Sequence, residues 1–278
     1  MIISIASGKG GTGKTSVAAN LAISIGGVQL IDCDVEEPNL HLLFPAGPCI
    51  EEPVYRMVPM VESGSCDNCG RCSSFCRYHA LFTTPIEVLF FPELCHGCGG
   101  CLLVCPRKAI SEGRHRIGRL LSCRSGDIEL VYGELEVSEP MAVPLIREVK
   151  RRISPERDVI IDSPPGVSCP VIESVKGSDY CLLVTEPTPF GLHDLKMAVQ
   201  VLEEMGITFG IVINRSGLGD REVYDYAEAR GIPILLEIPY RRRIAELYSR
   251  GIPFSLEMPG WKERFKELFD EVRGLVKG

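Results

Sequence analysis

Eight of the thirteen cysteines in this chain of 278 residues lie between residues 66 and 105, and their spacing is repeated. The first run is Cys66-x2-Cys69-x2-Cys72-x3-Cys76, and the second is Cys95-x2-Cys98-x2-Cys101-x3-Cys105. A shift of 29 residues superposes the runs and also aligns Gly70 with Gly99, Ala80 with Ala109 and Leu81 with Ile110. This internal duplication indicates a small unit built from two equivalent halves.

The spacing of the cysteines predicts two iron–sulfur clusters. Three thiolates placed three residues apart on a tight loop can converge on three corners of one iron–sulfur cube, and the fourth cysteine points toward the cube of the other half. We therefore assign one [4Fe–4S] cluster to Cys66, Cys69, Cys72 and Cys105, and the other to Cys95, Cys98, Cys101 and Cys76. Two zinc sites are the alternative, but their usual spacing lacks the third cysteine and the doubled fourth. The segment resembles a bacterial two-cluster ferredoxin, although Arg77 stands where the first half would have proline.

A second motif, GKGGTGKT at residues 8–15, fits the phosphate-loop pattern G-x-x-x-x-G-K-S/T. It follows a short apolar run and precedes a predicted helix from Lys14 to about Ile25, which is the context that such a loop needs. Backbone N–H groups and the helix N-terminus can cradle phosphates, Lys14 can neutralise them, and the Thr15 hydroxyl is placed for Mg²⁺. The predicted nucleotide contacts in this motif are Gly8, Lys9, Gly10, Gly11, Thr12, Gly13, Lys14, Thr15 and Ser16.

Around the cysteines, short apolar runs alternate with helical stretches. The predicted strands are MIISIA, VQLID, DVIID, DYCLLVTE, FGIVIN and IPILLEI, and the later predicted helices are roughly Leu192–Met205, Arg221–Ala229, Arg242–Arg250 and Trp261–Val276. Near-continuous apolar strands separated by helices indicate a parallel sheet that is buried on both faces. We therefore predict an α/β fold with a mostly parallel sheet. We expect residues 1–60 and 117–278 to form a P-loop nucleotide-binding domain, and residues 61–116 to form an inserted α+β module that resembles a bacterial ferredoxin.

Lys9 is a second lysine that a phosphate loop does not require. The form K-G-G-T-G-K-T resembles the deviant Walker A motif of the MinD/ParA ATPases, a family that includes the nitrogenase iron protein and the Mrp-type cluster carriers. The resemblance covers essentially the whole chain outside the insert. It implies an ATP-dependent homodimer in which Lys9 reaches the nucleotide of the other subunit. A solvent-facing lysine is the alternative.

The same resemblance implies roles for other residues and a slow Mg²⁺-dependent ATPase activity. LIDCDVEEPNL resembles the first switch, where Asp34 would orient the attacking water and Asp32 would support Mg²⁺. IDSPPG resembles the second switch, with Gly166 near the γ-phosphate, and Asp162 is a candidate outer-shell magnesium ligand at the carboxyl end of a strand. Lys9, Lys14 and Asp34 are the expected catalytic residues. The segments that resemble adenine-binding positions contain Asn214, Arg215, Pro239 and Tyr240.

Composition limits the possible partners. The net charge of −7 gives no electrostatic reason for binding nucleic acid. No run of about 20 apolar residues predicts a membrane span, and no signal peptide is visible, so we expect a cytoplasmic protein. In that compartment, thirteen cysteines favour metal binding over disulfides. The C-terminal segment is predicted to pack its apolar face on the sheet instead of lying on a membrane.

Two classes of function remain open. One is an ATP-dependent redox or metallocofactor-maturation factor that feeds electrons or a cluster to an unidentified client protein. The other is a spatial regulator of the MinD type, acting in cell division or partitioning, whose clusters sense redox state. ATP, Mg²⁺ and two [4Fe–4S] clusters are the expected cofactors in both cases.

Five cysteines lie outside the two runs. Cys169 follows Asp162 by seven residues, the same offset as a cluster-ligating cysteine of the nitrogenase iron protein. Paired with Cys123, it could ligate a third cluster between subunits, although a small residue that fills the switch loop is the alternative. Cys33 and Cys181 are expected to be buried small hydrophobes. Cys49 has no predicted role.

Overall fold

The computed structural model describes residues 1–45 and 47–277. The strands are β1 Ile2–Ala6, β2 Gln29–Asp32, β3 Ile50–Val61, β4 Leu81–Thr83, β5 Val88–Phe90, β6 Ile110–Ser125, β7 Ile128–Leu135, β8 Val159–Asp162, β9 Tyr180–Thr185, β10 Phe209–Ser216 and β11 Ile234–Pro239. The helices are α1 Lys14–Ile25, α2 Arg71–Phe75, α3 Gly100–Val104, α4 Val143–Lys150, α5 Cys169–Val175, α6 Pro189–Met205, α7 Glu222–Arg230, α8 Arg242–Ser249 and α9 Trp261–Lys277. Short 3-10 turns lie at Leu40–Leu43, Pro92–Leu94 and Phe254–Leu256.

The main sheet has the strand order β11-β10-β9-β1-β8-β2-β7-β6-β3. All neighbours from β11 to β7 pair in parallel, whereas β6 pairs antiparallel with both β7 and β3. Strands β2, β8 and β9 are buried at every residue, since helices cover both faces of the sheet. The predicted α/β fold with a mostly parallel sheet is therefore confirmed.

Apolar side chains divide between the two faces of the sheet. On one face, Leu21 of α1 and Phe265 of α9 belong to the same buried cluster as Ile3 and Ile5 of β1. On the other face, α5, α6 and α7 cover β9 and β10, while α4 covers β2 and β7. The apolar face of α9 is thus buried against the rest of the protein, as predicted, and is not available to a membrane. Within the residues described, no helix is both long and apolar enough to span a bilayer.

Strands β3 and β6 form a long antiparallel ribbon that leaves the sheet. Their first pairs, such as Ile50 with Ser122, lie beside β7, but the pairs from Tyr55 with Arg116 to Val61 with Ile110 extend past it. The predicted domain boundaries at 60/61 and 116/117 fall within these two strands. The sheet and the inserted segment therefore share continuous strands with no linker between them.

The backbone of the inserted segment repeats in the way that the cysteine spacing does. One half consists of β3, α2 and β4, and the other consists of β5, α3 and β6. Positions 29 residues apart adopt positive φ in both halves, namely Asn68 and Gly97, Gly70 and Gly99, and His79 and Lys108. Each half also contributes one strand to each antiparallel pair, β3 with β6 and β4 with β5. The duplication is therefore structural, and the two halves interlock.

Candidate functional site

The phosphate loop connects β1 to α1 and is shaped by two glycines that tolerate no side chain. A Cβ at Gly8 would lie 2.2 Å from the backbone oxygen of Asp194, so α6 can approach the loop closely. Gly13 has a φ of 96°, and a Cβ there would lie 2.3 Å from Nδ2 of Asn214. The first α1 hydrogen bond runs from the Val17 N–H to the Gly13 carbonyl, so the N–H groups of residues 14–16 precede the helical ladder.

A cavity of about 490 Å³ opens at the carboxyl end of the parallel strands, beside this loop. It is the crevice in which open α/β sheets bind ligands. The structure places the following predicted nucleotide contacts around it: Gly10, Gly11, Gly13, Lys14, Thr15, Ser16, Asp34, Asn214, Arg215, Pro239 and Tyr240. The remaining predicted site residues do not line it, namely Gly8, Lys9, Thr12, Asp32, Asp162 and Gly166.

Sequence reasoning missed part of the cavity wall. The additional lining residues are Glu37, Asn39, Pro165, Arg241, Ile244, Ala245 and Tyr248. Ile244 and Tyr248 are four residues apart on α8 and therefore share a face of that helix. The spacing of these two residues could have indicated a shared helix face from the sequence. The sequence does not show that this face of α8 lies beside the phosphate loop, because the tertiary fold brings the two together.

Lys14 and Asp34 line the cavity beside the phosphate loop, and two buried carboxylates, Asp32 and Asp162, lie close to Lys14. Asp32 is buried and accepts hydrogen bonds from the backbone N–H groups of Asp34, Asn39 and Leu40, at 2.9, 3.2 and 3.1 Å. Asp32 therefore holds the loop that carries Asp34. Burial raises the pKa of Asp34 to about 6, with the nearby Lys14 ammonium opposing this effect.

The other two groups are also strongly affected by burial. Desolvation raises the pKa of Asp162 to about 7, against the opposing influence of the Thr15 hydroxyl and the Lys14 ammonium. Desolvation also lowers the pKa of Lys14. Oδ1 of Asp162 is buried and has no hydrogen-bond partner among the residues described. A buried carboxylate oxygen beside the Thr15 hydroxyl suits a hydrated Mg²⁺.

Asn214 and Arg215 brace the phosphate loop. The Asn214 amide donates to the carbonyl of Thr12 at 2.7 Å and accepts from the Arg215 N–H at 2.9 Å. The Arg215 guanidinium donates to the carbonyl of Gly11 at 3.2 Å. The two residues line the cavity, and these contacts connect the predicted adenine-binding segment to the phosphate loop.

Lys9 lies at the mouth of the loop and is half-buried. Its Nζ is 3.9 Å from Oε2 of Glu186, a buried carboxylate whose Oε1 accepts a hydrogen bond from Arg215 at 2.7 Å. Glu186 follows β9 directly and was not among the predicted site residues. A loop lysine and an arginine of the cavity thus share one carboxylate.

Two further cavities lie in the inserted segment, and each is lined by one of the predicted cysteine sets. A cavity of about 500 Å³ is lined by the proximal quartet, Cys76, Cys95, Cys98 and Cys101. A smaller cavity is lined by the distal quartet, Cys66, Cys69, Cys72 and Cys105. Met57 lines the first cavity, whereas Val61 and Ile110, at the far end of the ribbon, line the second. The proximal quartet is therefore the one nearer the nucleotide-binding sheet.

Each quartet takes three cysteines from one half of the duplication and the fourth from the other half, which is the grouping that the spacing predicts. Cys69 and Cys98 are exposed, while Cys72, Cys95 and Cys101 are buried. Across residues 1–45 and 47–277, no three His, Cys, Asp or Glu side chains converge as they would around a single metal ion. The four proximal thiols instead line a cavity of about 500 Å³, and the four distal thiols line one of about 20 Å³.

A comparison with known protein families matches residues 3–254 to the CobQ/CobB/MinD/ParA nucleotide binding domain. The chain belongs to this family. The match spans the phosphate loop, both switch-like segments and the predicted adenine side. The protein is therefore a P-loop ATPase of the MinD/ParA type.

Individual relatives differ in their described roles. An uncharacterized protein of Methanocaldococcus jannaschii is 32% identical over 261 residues, which is 91% of each chain. An iron-sulfur cluster carrier protein of Pyrococcus furiosus is 24% identical over 302 residues, covering 99% of this chain and 86% of the relative. The septum site-determining protein MinD of Pyrococcus horikoshii, complexed with Mg-ADP, has a TM-score of 0.59 at 21% identity and covers 99% and 96% of the two chains. This last likeness shows the shared fold of the MinD/ParA ATPases.

One prediction about the remaining cysteines of this MinD/ParA ATPase is wrong. Cys49 and Cys123 form a disulfide, with Cα atoms 4.4 Å apart, although the composition favoured metal binding over disulfides. The cause is the strand register, because the pair Ile50 and Ser122 places residues 49 and 123 side by side. Cys123 is thus not available to share a third cluster with Cys169. Cys169 is exposed at the first position of α5, and Cys33 and Cys181 are fully buried, as predicted.

Proposed function

We propose that this ATPase is an iron–sulfur protein in which ATP binding and ATP-driven dimerisation control the delivery of electrons, or of a cluster or related metal cofactor, to a client protein. The observation that carries the proposal is the pair of cysteine-lined cavities on a ribbon whose strands belong to the nucleotide-binding sheet. The similarity to an iron-sulfur cluster carrier protein supports it. In this proposal, residues 61–116 form the ferredoxin-like module, and residues 1–60 and 117–278 form the ATPase.

On the nucleotide side, each residue has a role that matches its surroundings. Lys14, buried at the phosphate end, neutralises the β- and γ-phosphates, while Thr15 and Asp162 hold hydrated Mg²⁺. Asp34 orients the attacking water from a loop that is fixed by Asp32. Lys9 serves the nucleotide of a second subunit, and its half-buried position outside the wall of its own cavity supports this role.

On the cysteine side, the proximal and distal quartets each hold one [4Fe–4S] cluster. Bound in this way, each cluster supplies a site that accepts and releases one electron. The buried cysteines, such as Cys72 and Cys101, fix the loops, while exposed Cys69 and Cys98 mark the faces that a redox partner can approach. Gly97 donates its N–H to Sγ of Cys95, and Ala109 donates to Sγ of Cys105, which stabilises thiolate charge.

A chain of contacts connects the second switch to the proximal quartet. Helix α5 begins three residues after the end of the switch-like segment IDSPPG, at residues 161–166. Nζ of Lys150 in α4 donates to three carbonyls at the other end of α5, at 2.6 to 2.8 Å. The segment before α4 carries Glu139, which pairs with Arg56 of the ribbon. A movement of α5 on nucleotide binding would therefore reach the ribbon through α4.

Two measurements test this proposal: the iron and sulfide content of the protein, and the response of the protein to ATP. Protein purified without oxygen should contain about eight iron and eight sulfide per chain, four of each in every cluster. Addition of Mg-ATP should convert it to a dimer and change how fast its iron is reached by a chelator. Stoichiometric zinc with little sulfide would defeat the proposal. If the clusters are intact but ATP does not change the rate of iron chelation, the result would favour a spatial regulator with redox-sensing clusters.

A further inference from the structure

A buried ion pair lies where the ribbon meets the proximal quartet. Arg56 of β3 and Glu139, in the segment between β7 and α4, have side chains that are 5% and 3% exposed. Nη2 of Arg56 is 3.4 Å from Oε2 of Glu139, and Nε2 of His115 lies 3.2 Å from the same oxygen. Removing two charges from water is costly unless additional hydrogen bonds satisfy them. The pair is therefore expected to have specific polar partners.

The further partners of Arg56 belong to the segment that leads into the proximal quartet. Nη1 of Arg56 donates to the carbonyl of Cys95, and Nη2 donates to the carbonyl of Pro92 at 2.7 Å. The loop itself is pressed on the ribbon, since a Cβ at Gly97 would lie 2.9 Å from the carbonyl oxygen of Met57. The guanidinium is thus fixed directly against a cysteine of the proximal quartet.

The distal quartet has no matching buried cation among the residues described. The other arginines at the two cavities, Arg71, Arg77 and Arg107, are exposed, and Arg107 pairs with half-exposed Asp67 at 3.0 Å. The shift of 29 residues maps Arg56 onto Pro85, so the duplication does not repeat this feature. Solvent and salt screen exposed charges, whereas a buried charge acts through a medium of low dielectric constant.

We propose that Arg56 raises the reduction potential of the proximal cluster above that of the distal cluster, with Glu139 as the residue that positions it. This inference rests on the two clusters of the proposed function. Reduction adds one negative charge to a cluster, and a fixed cation beside it stabilises that charge, so the potential rises. A single electron on the protein then resides at the proximal quartet, on the side of the nucleotide-binding sheet.

The test compares two single variants in which the electrostatic effects have opposite signs. The measurement is an anaerobic redox titration followed by electron paramagnetic resonance, which gives a midpoint potential for each of the two clusters. Arg56→Gln should lower one of these two midpoint potentials, and Glu139→Gln should raise the same one. The expected size is a tenfold change in the ratio of reduced to oxidised cluster at fixed potential, which is about 59 mV for one electron. If the two substitutions acted only by loosening the local structure, they would not shift the midpoint potential in opposite directions. Two unmoved midpoint potentials, or shifts of the same sign, would overturn the role of Arg56.

The controls separate this inference from the proposed function. Arg116 of β6 and Glu136, directly after β7, form an exposed pair, so Arg116→Gln with Glu136→Gln should leave both midpoint potentials unchanged. If a single variant loses iron, the double variant Arg56→Gln with Glu139→Gln replaces it, because it leaves no unpaired buried charge. The midpoint potential of its proximal cluster should fall, since Arg56 contacts Cys95 directly, whereas the side-chain contacts of Glu139 are with Arg56 and His115. Unmodified protein without iron and sulfide would defeat the proposed function, whereas full iron with an unshifted double variant would defeat only this inference.

Discussion

Lys9 is paired with Glu186 within its own chain, with Nζ 3.9 Å from Oε2. The lysine side chain is 33% exposed, and the carboxylate is held more closely by Arg215. An ion pair of this exposure and length is worth about 0–1 kcal/mol, which is less than the interaction of a lysine with a desolvated phosphate. The pair is therefore weak enough for Lys9 to leave Glu186 for a nucleotide of the second subunit in the proposed dimer.

Substitutions in the phosphate loop and first switch should separate ATP binding, dimerisation and hydrolysis. Lys9→Ala should bind ATP but remain a monomer, because only the contact with the second subunit is lost. Lys14→Ala should lose productive ATP binding, and Asp34→Ala should bind ATP and accumulate as a dimer. Equilibrium nucleotide binding and light scattering measure the two steps. A Lys9→Ala protein that dimerises and hydrolyses ATP normally would contradict the role given to Lys9.

The buried carboxylates predict an unusual pH dependence of stability in the absence of Mg²⁺ and nucleotide. Burial raises the pKa of Asp34 to about 6 and of Asp162 to about 7. The folded state then binds protons more tightly than the unfolded state, so stability falls as pH rises from about 4 to about 7. Asp162→Asn removes one of these charges.

At about pH 8, Asp162→Asn should raise the free energy of unfolding of the magnesium-free protein by on the order of 2–4 kcal/mol. The gain should be small near pH 4, where Asp162 is protonated in the folded state and only partly ionised in the unfolded state. Urea unfolding at the two pH values measures the difference. An equal effect at both pH values would show that packing, and not charge, governs this site.

Lys150 should couple nucleotide state to the ribbon. Lys150→Met removes the donor to the carbonyls of Glu173, Ser174 and Lys176, at a cost of about 1–3 kcal/mol in stability. It should leave ATP affinity unchanged and abolish the effect of ATP on the rate of iron chelation. Lys176→Met, at an exposed neighbouring position, is the matched control and should respond to ATP normally. Loss of the response in both variants would argue against a route through α4.

Cys169→Ser should leave the iron content per chain unchanged. With Cys123 held in the disulfide to Cys49, a dimer offers only two Cys169 thiols at this position, and a tetrathiolate site needs four. Iron analysis and visible absorption of the ATP-bound dimer provide the measurement. A loss of iron on substitution would restore the predicted third cluster between subunits.

Local sequence signals predicted the parallel core well. Helix α1 begins at Lys14 and ends at Ile25, as the phosphate loop and the apolar run indicated, and the strands next to β1 have the buried runs expected of a parallel sheet. Strands β3, β6 and β7 were missed. β6 carries Arg114, His115 and Arg116 in succession, which masks the alternation that reveals a strand.

The remaining features of the site depend on contacts between distant residues. Glu186 lies 177 positions from Lys9, and Glu139 lies 83 positions from Arg56. The disulfide of Cys49 and Cys123 follows from strand register, which no local pattern in the sequence reports. The two cysteine quartets could be predicted from the sequence, because the spacing indicates which three thiols share a loop and which fourth thiol leaves it.

The most direct test of the coupling between ATP and the clusters is the rate at which the reduced protein passes electrons to a soluble one-electron acceptor, with and without Mg-ATP. If nucleotide state changes the placement of the ribbon, ATP should alter this rate by about tenfold, which corresponds to a differential free energy of about 1.4 kcal/mol. Lys14→Ala, with the same iron content, should show one rate in both conditions. Equal rates in the unmodified protein, with two intact clusters and measurable ATP hydrolysis, would contradict the account.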